Sequence, residues 1–184
     1  MVPLPHQTEH GVERVRYIPS PDSAQGLYTP TKTNPAEAAI IAREAFGIYL
    51  STGYAFDAGE TLGIIVPYRN QISTIRKAIT TLISGHTDYD TAVGIAQSIT
   101  IDTVERFQGS QRDYIVYGFT ILHPYELNFL TNNSFVQDGH VIDRKLNVAL
   151  TRARKQLIIV GNPNIMRKNP TFGRLIEWAR SASR

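Results

Sequence analysis

The sequence predicts an α/β domain: three layers, with an open, mainly parallel sheet carrying helices on both faces. Three observations predict it. The strand candidates, such as Leu62–Val66 and Leu157–Val160, are apolar throughout rather than alternating, which implies burial on both faces. Amphipathic stretches of helical period are interleaved with them, the pattern of right-handed βαβ units. Polar clusters lie after Val66, after Ile101 and before Leu157, and sheets of this kind bind ligands beyond the carboxyl ends of their strands.

In order along the chain, residues 1–33 are rich in Pro, Ser, Thr and Gly and read as an irregular leader with one strand candidate, Val12–Ile18. The domain proper is expected over 34–184. Asn34-Pro35-Ala36-Glu37 places a capping residue, a proline at the first helical position and a glutamate three after the cap. A helix to about Ser51 follows, with Gly53 just past its end. After the strand at Leu62–Val66, Ile72, Ile75, Ile79 and Leu82 form a helical stripe over about 68–83. Strands are predicted at Ser98–Ile101, Tyr114–Phe119 and Leu157–Val160, and helices at about Asp143–Ala153 and Thr171–Ala179. The segment 123–140 reads as a loop long for a compact domain.

The 184 residues suit one domain with a sizeable core. There is no cysteine, which excludes disulfides and thiolate metal sites, and the five histidines show no zinc-type spacing. No metal site is predicted. No apolar stretch approaches the roughly 20 residues a membrane helix needs, and the amino terminus lacks the apolar centre of a signal peptide. A soluble, cytoplasmic protein is the default. The net charge of +3 is uneven: residues 1–100 carry 7 Lys+Arg against 9 Asp+Glu, and residues 101–184 carry 12 against 7. A basic half points to phosphate-bearing partners or, equally well, to a solvated basic face.

Several chemistries have no motif here. The sequence holds no GxxxxGK[ST] phosphate-cradling loop, no adjacent acidic pair after an apolar strand to hold magnesium, no GxGxxG fingerprint and no nucleophile elbow. The chain by itself is expected to hydrolyse no nucleotide.

Three segments carry functional chemistry. In Gly63-Ile64-Ile65-Val66-Pro67-Tyr68-Arg69-Asn70-Gln71 a buried strand ends at a proline and delivers Tyr68, Arg69 and Gln71 to the sheet edge. Taken alone it reads as a plain strand–turn–helix junction. In the second, from Thr100 to Asp113, hydroxyls, amides, a glycine and two arginines crowd a connection between strands. Thr103 can donate to a phosphate, and Gly109 lets backbone approach a ligand. The alternative is a capped turn in which Thr103 starts one helical turn and Asp113 pairs with an arginine. In the third, from Asp143 to Arg154, the apolar stripe Leu146, Ala149, Leu150 and Ala153 precedes a strand. Arg152 and Arg154 there either offset a helix dipole or aim guanidinium groups at a γ-phosphate in a neighbouring site, where transition-state charge develops.

Together, "IIVPYRNQ", "TVERFQGSQRD" and "RKLNVALTRARKQLIIVGN" resemble motifs IV, V and VI of superfamily 1 helicases, over about residues 34–180. They are most similar to the 1B branch that includes the nonsense-mediated decay helicase and the Okazaki-fragment nuclease-helicases. The resemblance implies a RecA-like (P-loop NTPase-type) fold and a place as the second, carboxyl-terminal motor domain. It implies ATP with Mg2+ as cofactor, bound mainly by a first, amino-terminal RecA-like domain, and single-stranded DNA or RNA as partner, with 5′-to-3′ movement usual in the branch. Position by position, Arg152 matches the catalytic arginine finger. Arg154 supports it or pairs with a nearby carboxylate. Gly109 and Gln111 match the glycine and the ribose-contacting acid of motif V, although the family often has glutamate at Gln111. Thr103 matches the hydroxyl that contacts the strand's backbone, and Pro67, Tyr68 and Gln71 lie in the motif IV turn beside the same groove.

Two other readings remain at this stage. A stand-alone RecA-like module would bind nucleic acid or protein without ATP turnover, but would not need Arg152 in an intact "LTRAR". A nucleotide-dependent transferase or nuclease would need clustered carboxylates, whereas Asp102, Glu105, Asp113 and Asp143 are dispersed among arginines.

Overall fold

A computed structural model describes residues 14–22, 32–107, 110–131, 134–137 and 140–181. Five parallel strands form the central sheet: β1 (Val15–Pro19), β2 (Leu62–Ile65), β3 (Thr100–Asp102), β4 (Arg112–Gly118) and β7 (Ala153–Gly161). Their spatial order is β1-β7-β4-β2-β3. A two-stranded antiparallel hairpin, β5 (Ser134–Gln137) and β6 (His140–Asp143), stands apart.

The helices cover both faces, as uniformly apolar strands require. On one side α1 (Pro35–Thr52), α2 (Arg69–Ser84) and α3 (Tyr89–Ser98) pack on Leu62, Ile64, Val116, Ile158 and Val160. On the other, α4 (Glu126–Thr131), α5 (Arg144–Leu150), α6 (Pro163–Met166) and α7 (Pro170–Ser181) flank a core containing Ile65, Ile115, Tyr117, Leu157 and Ile159. Alternate residues of β4 and β7 thus feed opposite cores, and each fully buried Ile or Leu contributes about 1.5–3 kcal/mol. The aromatic trio Tyr117, Phe119 and Phe172 meets edge-on in the second core, with centroids 4.9 and 5.1 Å apart. Among the described residues no helix is long and apolar enough to cross a membrane.

Local signals place most of these elements. Asn34 caps α1 by accepting the Glu37 N–H at 3.0 Å, and Gly53 ends it with φ 51°. The stripe on α2 rotates slightly from expectation: Ile75, Ile79 and Ile83 are fully buried, while Ile72 and Leu82 flank them. The strand candidate inside the presumed leader is β1, paired along its length with β7, so residues 15–19 are part of the sheet.

Three segments differ from the sequence reading. Helix α3 carries little amphipathic signal, because its buried positions are the small Ala92 and Ala96. Its cap, Asp88 accepting from Thr91 N–H at 2.9 Å, was the available signal. The segment 123–140 contains α4 and the first strand of the hairpin rather than loop alone. Finally, α5 stops at Leu150 instead of Ala153, because Thr151 Oγ1 donates to the carbonyls of Asn147 and Val148 and Arg152 Nε donates to Val148 O. These bonds satisfy the last helical carbonyls, and the Arg152 carbonyl already accepts from Arg112 N–H as the first rung of β7.

Candidate nucleotide cleft and strand-facing edge

The amino-terminal ends of β4 and β7 lie side by side, with Arg112 in register with Ala153. An open cleft of about 440 Å³ forms there, lined by Glu60, Ser110, Gln111, Arg112, Arg152 and Arg154. Gln111, Arg152 and Arg154 are therefore brought together in one cleft. The edge is not the expected one. Residues just before a strand must sit at its amino end, so this cleft opens at the amino edge of the sheet, and the general rule for carboxyl-end sites does not describe it.

The two arginines of "TRAR" are in different states. Arg154, on β7, is held three ways: Nε donates to Asp113 Oδ1 at 2.9 Å, Nη1 pairs with Glu60 Oε2 at 2.6 Å and Nη2 donates to Glu60 O at 3.0 Å. Lys155 Nζ reaches Asp113 Oδ2 at 2.7 Å. Bonding from Lys155 holds the Asp113 carboxyl below its ordinary range against partial burial, and the Arg154 bond acts in the same direction. Bonding to Glu60 raises Arg154. Arg152 is partly buried, and its Nε donates to a helix carbonyl, Val148 O, at 3.1 Å. Among the described residues no carboxylate stands within ion-pair distance of it. The cleft thus holds one neutralised arginine and one whose guanidinium terminus carries no acidic partner among the described residues.

Gln111 is exposed at the lip of the cleft, and its carbonyl accepts from Arg112 Nη1 at 2.9 Å. The Arg112 guanidinium lies 5.9 Å from the Phe107 ring centroid, a cation–π contact that sets the floor. Gly109 lies outside the described residues. Glu60, Ser110 and Arg112 were not singled out from the sequence. Glu60 in particular lies before β2, remote in the chain, and only the parallel pairing of β2 with β4 brings it here.

The remaining predicted residues gather at the carboxyl edge. Two parts of the capped-turn alternative for the second segment are present, the helical turn and the pairing of Asp113. A single 3-10 turn, Val104–Phe107, follows Thr103, whose N–H donates to Asp102 Oδ1 at 2.8 Å, and Asp113 does pair with an arginine. Thr103 keeps 7% of its surface exposed. Pro67 is partly exposed. Tyr68 is buried beneath Phe129, the rings stacked at 5.2 Å and 27°, and burial pushes its hydroxyl up to about 12. Gln71 requires a correction: it is fully buried, with Nε2 donating to Asn34 O at 2.9 Å and Oε1 accepting from Asn34 N–H at 2.8 Å. Its amide is consumed in joining the starts of α1 and α2, so it is not offered to a strand.

A seven-residue strand spans about 20 Å, so the cleft and the carboxyl edge are separate sites joined by β4. Among the described residues no group of three or more His, Asp or Glu side chains is placed to hold a metal ion.

The parallel sheet, the two helical layers and an arginine-lined cleft at one edge define a RecA-like α/β domain. Residues 7–164 match a family model described as an AAA domain. The human protein "RNA helicase Mov10l1" is 30% identical over 152 residues, 82% of this chain and 11% of that protein. "Helicase sen1" of Schizosaccharomyces pombe is 32% identical over 120 residues, 65% of the chain and 6% of that protein. "Regulator of nonsense transcripts 1" of Dictyostelium discoideum is 36% identical over 115 residues, covering 62% and 8%. The chain belongs to this AAA domain family and is a RecA-like domain of the superfamily 1 helicases. It spans about a tenth or less of the length of these curated relatives.

Proposed function

We propose that the chain is the second, carboxyl-terminal motor domain of an ATP-dependent superfamily 1 helicase, and that Arg152 is its arginine finger. The observation that carries this reading is the difference between the two cleft arginines: Arg154 is neutralised by Glu60 and Asp113, while Arg152 faces the cleft without an acidic partner among the described residues. A planar guanidinium that stays charged suits bidentate contact with phosphate oxygens. ATP with Mg2+, held mainly by a first RecA-like domain of the same protein, supplies the free energy of its terminal phosphoanhydride bond. Glu60, the carboxylate lining the cleft, and Asp113 beside it are occupied by Arg154 and Lys155, so these residues fit a triphosphate rather than its metal, whose ligands belong to the first domain.

Gln111, at the lip, accepts or donates to a ribose hydroxyl through its amide. Arg154 acts as a strut, tying the segment before β2 to β4 and β7 so that the cleft keeps its shape. Single-stranded DNA or RNA lies along the carboxyl edge, against Thr103, Pro67 and the Tyr68 stack, and contacts to its backbone make binding indifferent to sequence and sensitive to salt. Strands β4 and β7 share one sheet with β2 and β3, whose carboxyl ends lead into these contacts, so a rotation that brings Arg152 onto phosphate carries the strand contacts with it. Alternating closure and release then becomes a step along the strand.

The test is made in the full-length protein. Arg152→Ala is expected to lower nucleic-acid-stimulated ATPase by roughly a thousandfold or more while strand affinity is retained. Unchanged hydrolysis would overturn the finger assignment. The isolated chain is expected to show no ATPase, and turnover by it would show that it holds a complete site.

A further inference from the structure

The carboxyl edge carries a surface that the sequence motifs do not include. On α4, Leu127 and Leu130 are buried and anchor the helix in the core, while Tyr125, just before the helix, and Phe129, within it, are 59% and 42% exposed. Leu127 and Leu130 anchor the helix, and the two exposed aromatics add apolar surface at this edge of the sheet.

Each exposed ring is backed by a second one. Phe129 stacks on buried Tyr68 at 5.2 Å, and Tyr125 stacks on His123 at 5.4 Å and 10°. The backbone beneath is fixed as well: Glu126 Oε2 accepts from Leu122 N–H at 2.7 Å and His123 N–H at 2.9 Å, which also satisfies the nearest carboxylate. Lys32 Nζ sits 5.1 Å from the Tyr68 centroid and 5.3 Å from that of Phe129. Such contacts are weak at exposed sites, so the ammonium is readily redirected to an arriving anion. Arg69, exposed at the start of α2 beside Tyr68, adds a second cation.

We propose that Tyr125 and Phe129, with Lys32 beside them, form a nucleobase-stacking platform for single-stranded nucleic acid at the carboxyl edge of the sheet. The inference rests on the strand-binding reading above and adds to it. Rigid aromatic faces accept any base, and adjacent cations take the phosphates between bases, the combination that suits an unpaired strand. An apolar protein segment would use the rings and leave the cations idle, which is why the strand is the preferred occupant.

The test compares the full-length protein with its Tyr125→Ala/Phe129→Ala variant on a labelled oligothymidylate and on an abasic oligomer of the same length. The wild type is expected to prefer the base-bearing strand. Each alanine is expected to weaken that binding by roughly 5- to 150-fold while leaving abasic affinity unchanged. A Tyr125→Phe/Phe129→Tyr variant keeps the rings and is expected to keep the preference, which separates stacking from a folding defect. Lys32→Ala should reduce the salt slope by about 0.7 on either strand. If the wild type binds both oligomers equally and the alanine variant matches it, the platform is overturned while strand binding stands. If the wild type binds neither, the strand-binding reading itself fails, and the platform with it.

Discussion

Gln71 holds the backbone of Asn34 by both ends of its amide, accepting from the N–H at 2.8 Å and donating to the carbonyl at 2.9 Å. In a capping box the N–H of the cap would be met by the glutamate three residues on. Here Gln71 takes that N–H, and Glu37 is released to turn inward. Gln71→Leu keeps the volume but orphans a buried N–H, a loss of about 1–3 kcal/mol. Urea unfolding is expected to show that loss, while affinity for a single strand, compared at equal folded fraction, stays unchanged. A tenfold loss of affinity at normal stability would return Gln71 to the groove.

Freed from the cap, Glu37 Oε1 accepts the Thr120 N–H at 2.7 Å and holds Thr120 at φ 57°, a left-handed backbone rare for a β-branched residue. Burial pushes the Glu37 carboxyl up to about 8, against the lowering effect of the Thr120 bonds. The unfolded chain releases that proton near 4.5. Between the two values the native state binds the extra proton, so this group's contribution falls as pH rises, by about 1.4 kcal/mol per unit, and is flat outside that window. Glu37→Gln retains an acceptor for Thr120 without titrating. Denaturation midpoints of the two proteins between about pH 5 and pH 8 are expected to shift in favour of the variant as pH rises; parallel curves would refute the assignment.

Gly63 lies on β2, an interior strand of the sheet between β4 and β3. A Cβ there would meet Phe107 Cε1 at 2.6 Å, Ile115 Cδ1 at 3.0 Å and Arg112 Cγ at 3.1 Å. Phe107 and Ile115 are buried and have little room to retreat. Gly63→Ala is expected to cost about 1–3 kcal/mol, read as a lower thermal midpoint. A displaced Arg112 would also disturb the cleft floor, so kcat in the full-length protein should fall more than strand affinity.

The contrast between Arg154 and Arg152 has its own signature. Removing Arg154 leaves Glu60 unpaired and Asp113 with Lys155 alone, so Arg154→Ala should loosen the cleft and make ATPase more salt-sensitive. Because the pairs are solvent-accessible, the effect should be far smaller than that of Arg152→Ala. Equal loss of hydrolysis in the two variants, measured at saturating ATP, would show that Arg154 also reaches phosphate.

How much of the protein was legible from its residues follows from what kind of information each feature needs. The apolar strands and the cap at Asn34 are local patterns, and they reappear as β2, β7 and α1 with ends shifted by a few residues. Helix α3 escaped because alanine and glycine give little amphipathic contrast. The segment containing α4 escaped because six helical residues are too few to show a period.

The sequence by itself determined the α/β layering and the presence of three ordered clusters of cleft and edge residues. Only the tertiary structure decided which edge each cluster occupies, that Gln71 and Tyr68 are covered, and that Arg154 is neutralised while Arg152 is not. Burial on both faces can be written into a strand's own residues. The partner of a charge cannot: Glu60 lies 94 positions from Arg154 in the chain and meets it only because β2, β4 and β7 are neighbours in the folded sheet.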